Sequence, residues 1–250
     1  TVTVEEHFVS PGFANGPGRA FIEGFQKSTT KGAKIVEQLH ELGDQRIAEM
    51  DAAGIDVQIL SLNSPGVEQA ETAEAITVAQ ESNDFLAEAI KKHPTRLAGL
   101  AALATQAPDA AVRELERTIG QKGFKGAVIN GHTRGRYLDD KTFWPILECA
   151  ESLAVPIYLH PAVPPKAVVE ASYGGFAPHL TAMLATAAWG WHIETAVHLI
   201  RMIVGGVFDQ FPKLQVAVGH LGEGIPFMLP RLNRNLPMEM TKLHRPIGAY

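Results

Sequence analysis

"GDQRIAEMDAAGIDVQILSL", residues 43–62, holds one complete step of the fold: a helix, a stop and a strand. Ile47, Met50 and Ala53 recur at helical spacing and Gly54 ends the run, after which "DVQILSL" continues as an apolar stretch of strand length. An uninterrupted apolar strand is covered on both faces, which is the habit of parallel sheets. The step repeats. A helix through "AEAITVAQESNDFLAEAIKKH" leads to strand "LAGLAAL", "DAAVRELERTIGQKG" to "GAVIN", "FWPILECAESL" to "VPIYLH", and "IETAVHLIRMIVGGVFDQF" to "LQVAVGH". With an opening strand at about 2–8, six strands are expected.

Such alternation with short linkers gives a right-handed βα succession, either an open doubly wound sheet or a (β/α)8 barrel. The polar strand ends choose between them. Glu5 and His7, Asn63, Asn130, His160 and His220 all fall at the C-terminal ends of successive strands, and a barrel gathers such ends around one mouth. The expectation is therefore an α/β fold of the (β/α)8 TIM-barrel type, one domain over residues 1–250. Closure takes eight strands, and "RLNRNLPMEMTKLHRPIGAY" reads as a loop or helix entry. The last two strands are thus expected to be missing from a C-terminally incomplete chain. Ser10 to Lys34 is polar and rich in Gly and Pro, predicting a long functional loop in which Phe13, Phe21 and Phe25 are candidates to cap the pocket.

Composition narrows the partners. A chain of 250 residues with 46% hydrophobic content and a formal charge of −5 can bury a large core. It contains neither an apolar run of membrane-spanning length nor a signal-like N-terminus, which predicts a soluble, cytoplasmic protein without a membrane partner. The acidic balance without basic runs argues against nucleic acid. Cys149 is alone, so neither an internal disulfide nor a cysteine metal cluster is open to the chain; its apolar helical setting predicts a buried structural thiol.

Residues two apart in a strand face the same side, so Glu5 and His7 point together, and a carboxylate oxygen beside an imidazole nitrogen is half of a site for a divalent metal. A solvated Glu beside a core His fits the same tripeptide. His160, ending "PIYLH", meets the pair across a barrel mouth and makes three ligands, leaving a position open for substrate. "VGHLGEGIPF" adds His220, suited to proton transfer, and Glu223, suited to fixing its tautomer. Arg231 suits a carboxylate clamp, with a surface ion pair as the alternative. His132 follows a strand end at the mouth. Trp189, Trp191 and His192 fall where a loop enters a helix, as an aromatic wall for a flat substrate or as core. His40, His93 and His244 are expected to be solvated.

Several of these motifs in this order resemble a known family. "EEHF", "MDAAGIDVQILSL", "NGHTRGRYLDD" with "FWPILE", "PIYLHP" and "ETAVHLIRMIVGGVFDQFPKLQVAVGHLGEGIPF" with the following Arg are similar to the decarboxylase branch of the amidohydrolase superfamily, which includes γ-resorcylate, 2,3-dihydroxybenzoate and, more distantly, aminocarboxymuconate semialdehyde decarboxylases. The resemblance implies one divalent metal ion, Zn²⁺ or Mn²⁺, on Glu5, His7 and His160. It implies catalytic roles for His220 and Glu223 and substrate contacts for Arg231, Trp191 and His132. It also implies a metal-binding, proton-donating aspartate at the end of an eighth strand, beyond this sequence. The implied activity is non-oxidative decarboxylation of a hydroxylated aromatic acid by a homodimer or homotetramer; a hydrolase or lactonase on the same barrel is the alternative.

Overall fold

The computed structural model describes residues 1–28 and 30–250. Six strands, β1 (Val2–Phe8), β2 (Val57–Leu62), β3 (Leu97–Ala102), β4 (Gly126–Asn130), β5 (Ile157–His160) and β6 (Val216–Val218), pair in parallel in chain order. The stretch after β1 departs from expectation. Instead of a long loop it forms α1 (Pro11–Asn15), α2 (Arg19–Ser28) and α3 (Thr30–His40), with Thr29 outside the described residues. The reason is local: Ser10 caps α1 through its hydroxyl, accepting from the Phe13 amide, and Pro11 occupies the first turn. Phe13 is buried in the core and Phe21 stacks on Phe25 at 5.4 Å, so these rings pack helices.

The helices α4 (Asp44–Ala53), α5 (Thr72–Lys92), α6 (Pro108–Lys122) and α7 (Trp144–Ser152) follow the predicted alternation. Between β5 and β6 the chain adds α8 (Lys166–Tyr173) and α9 (Pro178–Ala185), then divides the expected long helix into α10 (Gly190–Val204) and α11 (Val207–Gln210). Gly206, at φ +76°, makes that break. The closing segment folds as α12 (Ile225–Asn235) and α13 (Met238–Thr241). No helix among the described residues is long and apolar enough to cross a membrane.

Alternate strand residues separate two apolar clusters. Leu60, Leu62, Ala101, Ala127, Ile129, Ile157 and Leu159 join the large core beneath the helices. Leu100, Val128 and Tyr158, with Ile59 against them, form a second cluster on the opposite face. The sheet is rolled around that second face. Flat, it would hold β1 and β5 about 19 Å apart at the usual strand spacing, yet Glu5 Oε1 lies 3.1 Å from His160 Nε2. The two outer strands differ from the expected buried runs: Val2 and Val4 are 60% and 46% exposed, and β6 is at most half-buried. Each has one strand neighbour among the described residues, leaving an edge open. Cys149 is half-buried against the core, short of the full burial expected.

Buried polar groups tie helices to strand ends. Asn83 on α5 brackets Ala102 at the end of β3, donating to its carbonyl at 2.9 Å and accepting from its amide at 2.8 Å. Glu68, in the loop after β2, is buried and accepts the Asn130 amide at 2.6 Å. Burial outweighs that bond and raises its carboxyl from 4.5 to about 8. A carboxyl that keeps its proton when folded and loses it when unfolded makes stability fall as pH rises from about 4.5 towards 8. Glu68→Gln should flatten this slope, by up to about 1.4 kcal/mol per pH unit, in urea unfolding series between pH 5 and 8.

Candidate metal centre

β1 carries one residue more than β2 between two aligned pairs, Thr3 with Gln58 and Glu6 with Leu60. That bulge re-aims Glu5. Glu5 Oε1 lies 3.6 Å from His7 Nε2, 3.1 Å from His160 Nε2 and 3.5 Å from His220 Nε2. Three elements distant in sequence thus converge on one oxygen. The other edges of two rings are already engaged. His7 Nδ1 is 3.0 Å from the hydroxyl of Ser61, its register partner on β2, and that hydroxyl donates to the Glu6 carbonyl. His160 Nδ1–H donates to the Pro161 carbonyl at 2.9 Å. Both Nε2 atoms are therefore left facing Glu5.

Electrostatics favour the liganding forms. Burial works against ionisation of Glu5, but Nε2–H groups of His160 and then His7, present when those rings carry both protons, overcome it and bring its carboxyl down from 4.5 to about 2. Burial lowers the His160 imidazole, opposed by its contact with Glu5, and so favours the neutral ring that a metal requires. Two imidazole lone pairs and a carboxylate oxygen aimed at one point repel unless a proton or cation lies between them, and this donor set suits a divalent first-row ion. Glu5, His7 and His160 indeed bring ligand atoms within 4.8 Å of one another.

His220 does not end a strand as expected. β6 stops at Val218, and His220 opens a turn in which His220, Leu221, Gly222, Glu223 and Gly224 all have positive φ between 49° and 78°. Three non-glycine residues there hold a costly conformation, of the kind found where structure imposes it. The turn delivers Glu223, fully buried in its side chain, to the ring it was expected to orient: His220 Nδ1–H donates to Glu223 Oε1 at 2.8 Å. The second carboxylate oxygen accepts from His192 Nδ1 at 2.6 Å. His192, read as part of an aromatic wall, is thus a carboxylate partner.

The remaining candidates are more scattered. His132 is buried, accepts the Gly135 amide at Nδ1 and lies 6.1 Å from the Tyr137 ring; burial lowers its imidazole. Trp191 is half-buried with its indole N–H unpartnered, whereas Trp189 is 57% exposed. Arg231 is exposed on α12, and no hydrogen bond or ion pair joins it to the cluster among the described residues. His40 and His244 are exposed, while His93 is half-buried, 3.9 Å from Asp44. Ser61 and Arg46 were not singled out from sequence. Arg46 donates to the carbonyls of His7, Gln38 and Glu41 and so fixes the backbone under the site. A serine inside the apolar run "VQILSL" was the available signal for the first.

A rolled parallel sheet with a Glu-His-His cluster at the C-terminal ends of its strands is the architecture of metal-binding α/β-barrel proteins. The amidohydrolase family profile matches residues 31–245, and the chain belongs to that family. It is 40% identical over 216 residues to the γ-resorcylate decarboxylase of Polaromonas sp. strain JS666, covering 83% of this chain and 64% of that protein. The chain thus spans less than two thirds of that relative's length. Among solved structures it resembles 5-carboxyvanillate decarboxylase from Novosphingobium aromaticivorans, complexed with manganese and 4-hydroxy-3-methoxy-5-nitrobenzoic acid. The TM-score is 0.89 at 38% identity, over 100% of this chain and 75% of that one. It also resembles the dihydroxybenzoic acid decarboxylase of Polaromonas sp. JS666, with bound manganese and the inhibitor 2-nitroresorcinol. There the TM-score is 0.82 at 36% identity, over 93% and 69% of the two chains.

Two substitutions test the cluster. His160→Ala should lower manganese affinity more than about tenfold with the circular dichroism spectrum unchanged, measured by elemental analysis after dialysis. Gly219→Ala should also weaken metal retention, because an added Cβ would meet the Tyr158 hydroxyl and the Glu5 carboxylate.

Proposed function

We propose that the protein catalyses the non-oxidative decarboxylation of a hydroxylated aromatic acid of the dihydroxybenzoate type, with one divalent ion held by Glu5, His7 and His160. The observation that carries this reading is the convergence of His7, His160 and His220 on Glu5 Oε1 at 3.1 to 3.6 Å. Support comes from relatives named as decarboxylases and from structures of two of them holding manganese with aromatic ligands.

Direct loss of CO2 from an aromatic ring leaves an aryl carbanion, a prohibitive leaving state. Protonating the carboxyl-bearing carbon first lets the electrons of the breaking bond return to the ring. A divalent ion in the site supplies Lewis acidity that neutralises the substrate carboxylate and an ortho oxygen. The chain's own groups do the rest. His220, its Nδ1 proton held by Glu223, presents an Nε2 lone pair that accepts a hydrogen bond from a ring hydroxyl. Arg231, without an ion pair among the described residues, is assigned a substrate carboxylate or hydroxyl. Trp191 and His132 are assigned to the substrate's flank. The proton comes from the aspartate that the resemblance assigns to an eighth strand.

The same reading makes residues 1–250 one amidohydrolase-like domain holding the first six strands of a (β/α)8 barrel, supported by the open edges of β1 and β6 and by the greater length of the relatives. A cytoplasmic location belongs to it, as does a homodimer or homotetramer. Phe176, Leu180, Met183, Trp189, Ile193 and Val197 supply an exposed apolar face for a second copy.

The test is direct. With manganese or zinc added, the protein carrying that eighth strand should convert 2,6-dihydroxybenzoate to resorcinol with one CO2 released per molecule consumed, followed by ultraviolet absorbance and trapped carbonate. Glu5→Gln should reduce kcat at least about a hundredfold. Hydrolysis of an ester or lactone with no CO2 release from any hydroxybenzoate would overturn the assignment in favour of a hydrolase.

A further inference from the structure

Glu223 has two carboxylate oxygens and two imidazole partners. Oε1 accepts from His220 at 2.8 Å and Oε2 from His192 at 2.6 Å, and its side chain has no exposed surface, so no solvent molecule reaches either oxygen from bulk. No other hydrogen bond to this carboxylate occurs among the described residues. The His192 and His220 rings stand nearly perpendicular, 77° apart, with centroids separated by 5.2 Å. At its second edge Nε2 lies 3.2 Å from the Ala187 carbonyl, a contact that is a hydrogen bond only when the ring carries both protons.

These residues arrive from different parts of the fold. His192 lies in the first turn of α10, whereas His220 and Glu223 belong to the turn after β6. That turn is strained, with Glu223 at φ +53°. We propose that His192 is a positioning residue for His220: by holding Glu223 Oε2 it fixes the carboxylate orientation that keeps the His220 proton on Nδ1 and turns Nε2 toward Glu5 and the pocket. A buried carboxylate oxygen stripped of its donor is free to rotate and to compete for the remaining imidazole in other geometries. The separations of 2.6 and 2.8 Å are charge-assisted hydrogen-bond lengths. Ligands sharing a tetrahedral divalent ion at bonds of about 2.0–2.2 Å would stand roughly 3.3 to 3.6 Å apart, so the group is read as a proton-bonded relay.

Asparagine separates hydrogen bonding from packing. Its Nδ2 superimposes on histidine Nδ1, while glutamine Nε2 superimposes on the distal nitrogen. His192→Asn therefore restores the donor to Glu223, and His192→Ala and His192→Gln do not. The experiment is ¹⁵N NMR of the imidazoles in the full chain, metal-free and zinc-loaded, beside steady-state kinetics on 2,6-dihydroxybenzoate. The wild type should show His220 as the Nδ1–H tautomer; His192→Ala should give a mixture of tautomers, and His192→Asn should restore the single form. The kinetic arm rests on the decarboxylase reading. There, kcat should fall about tenfold in His192→Ala with KM unchanged, and recover in His192→Asn. An unchanged His220 tautomer in His192→Ala would overturn the inference, as would an Asn variant no better than Ala. So would a second zinc equivalent per chain that disappears with His192. Because the tautomer is read without turnover, a protein inactive on hydroxybenzoates refutes the decarboxylase reading while leaving this inference decided by NMR alone.

Discussion

The fold depends on keeping a six-stranded sheet rolled tightly enough for its first and fifth strands to meet. Glu5 Oε1 marks that closeness, lying 3.1 Å from His160 at the end of β5 and 3.5 Å from His220 beyond β6. Twist and the helices packed outside supply the curvature, and the filling of the inner face by Leu100, Val128 and Tyr158 supports it. The polar contact at the rim contributes in the other direction. Burial penalises the Glu5 charge; of the two imidazoles that offset the penalty, His7 shares β1 with Glu5, and His160 is in place only when the sheet is curved. A site that demands convergence and a sheet that provides it are therefore conditions on each other.

Around that point the protein controls histidine tautomers one by one. Ser61 and the Pro161 carbonyl engage the Nδ1 edges of His7 and His160, and Glu223 engages that of His220, so three Nε2 atoms face Glu5 Oε1. The partners differ in kind: a hydroxyl, a backbone carbonyl and a buried carboxylate. A buried carboxylate fixes the orientation of its imidazole as well as its tautomer, which suits the ring assigned to substrate. The proposed roles divide in the same way, with the metal ligands on β1 and β5 and the substrate-facing histidine on the turn after β6.

Much of this was legible in the sequence because the signals were local. The helix-Gly-strand step at residues 43–62, the apolar strands and the strand-end positions of Glu5, His7 and His160 all follow from spacing within a few residues. The region after β1 departs from its loop-like composition because the Ser10-Pro11 cap that starts α1 outweighs its Gly and Pro content. The bulge that aims Glu5 depends on pairing with β2, and the role of His192 depends on a contact with a residue 31 positions away. Neither leaves a trace in periodicity. The left-handed turn at 220–224 is partly visible in Gly222 and Gly224, yet nothing local announces that His220, Leu221 and Glu223 share the conformation. The exposed Arg231 shows the converse: a suitable residue type at a suitable offset does not fix where a long side chain points.

The strand order has a kinetic reading. Every strand pairs with its sequence neighbour, so the sheet can grow one βα unit at a time through contacts of short loop length, as the chain emerges from a ribosome or refolds from denaturant. The cluster at Glu5 is the exception, since two of its three histidines, His160 and His220, lie more than half the chain away and can arrive only when β5 and the turn after β6 are in place. The site is thus among the last assemblies the chain can complete. Nascent or partly folded molecules lack it altogether, which delays ion capture until the barrel strands are already in register.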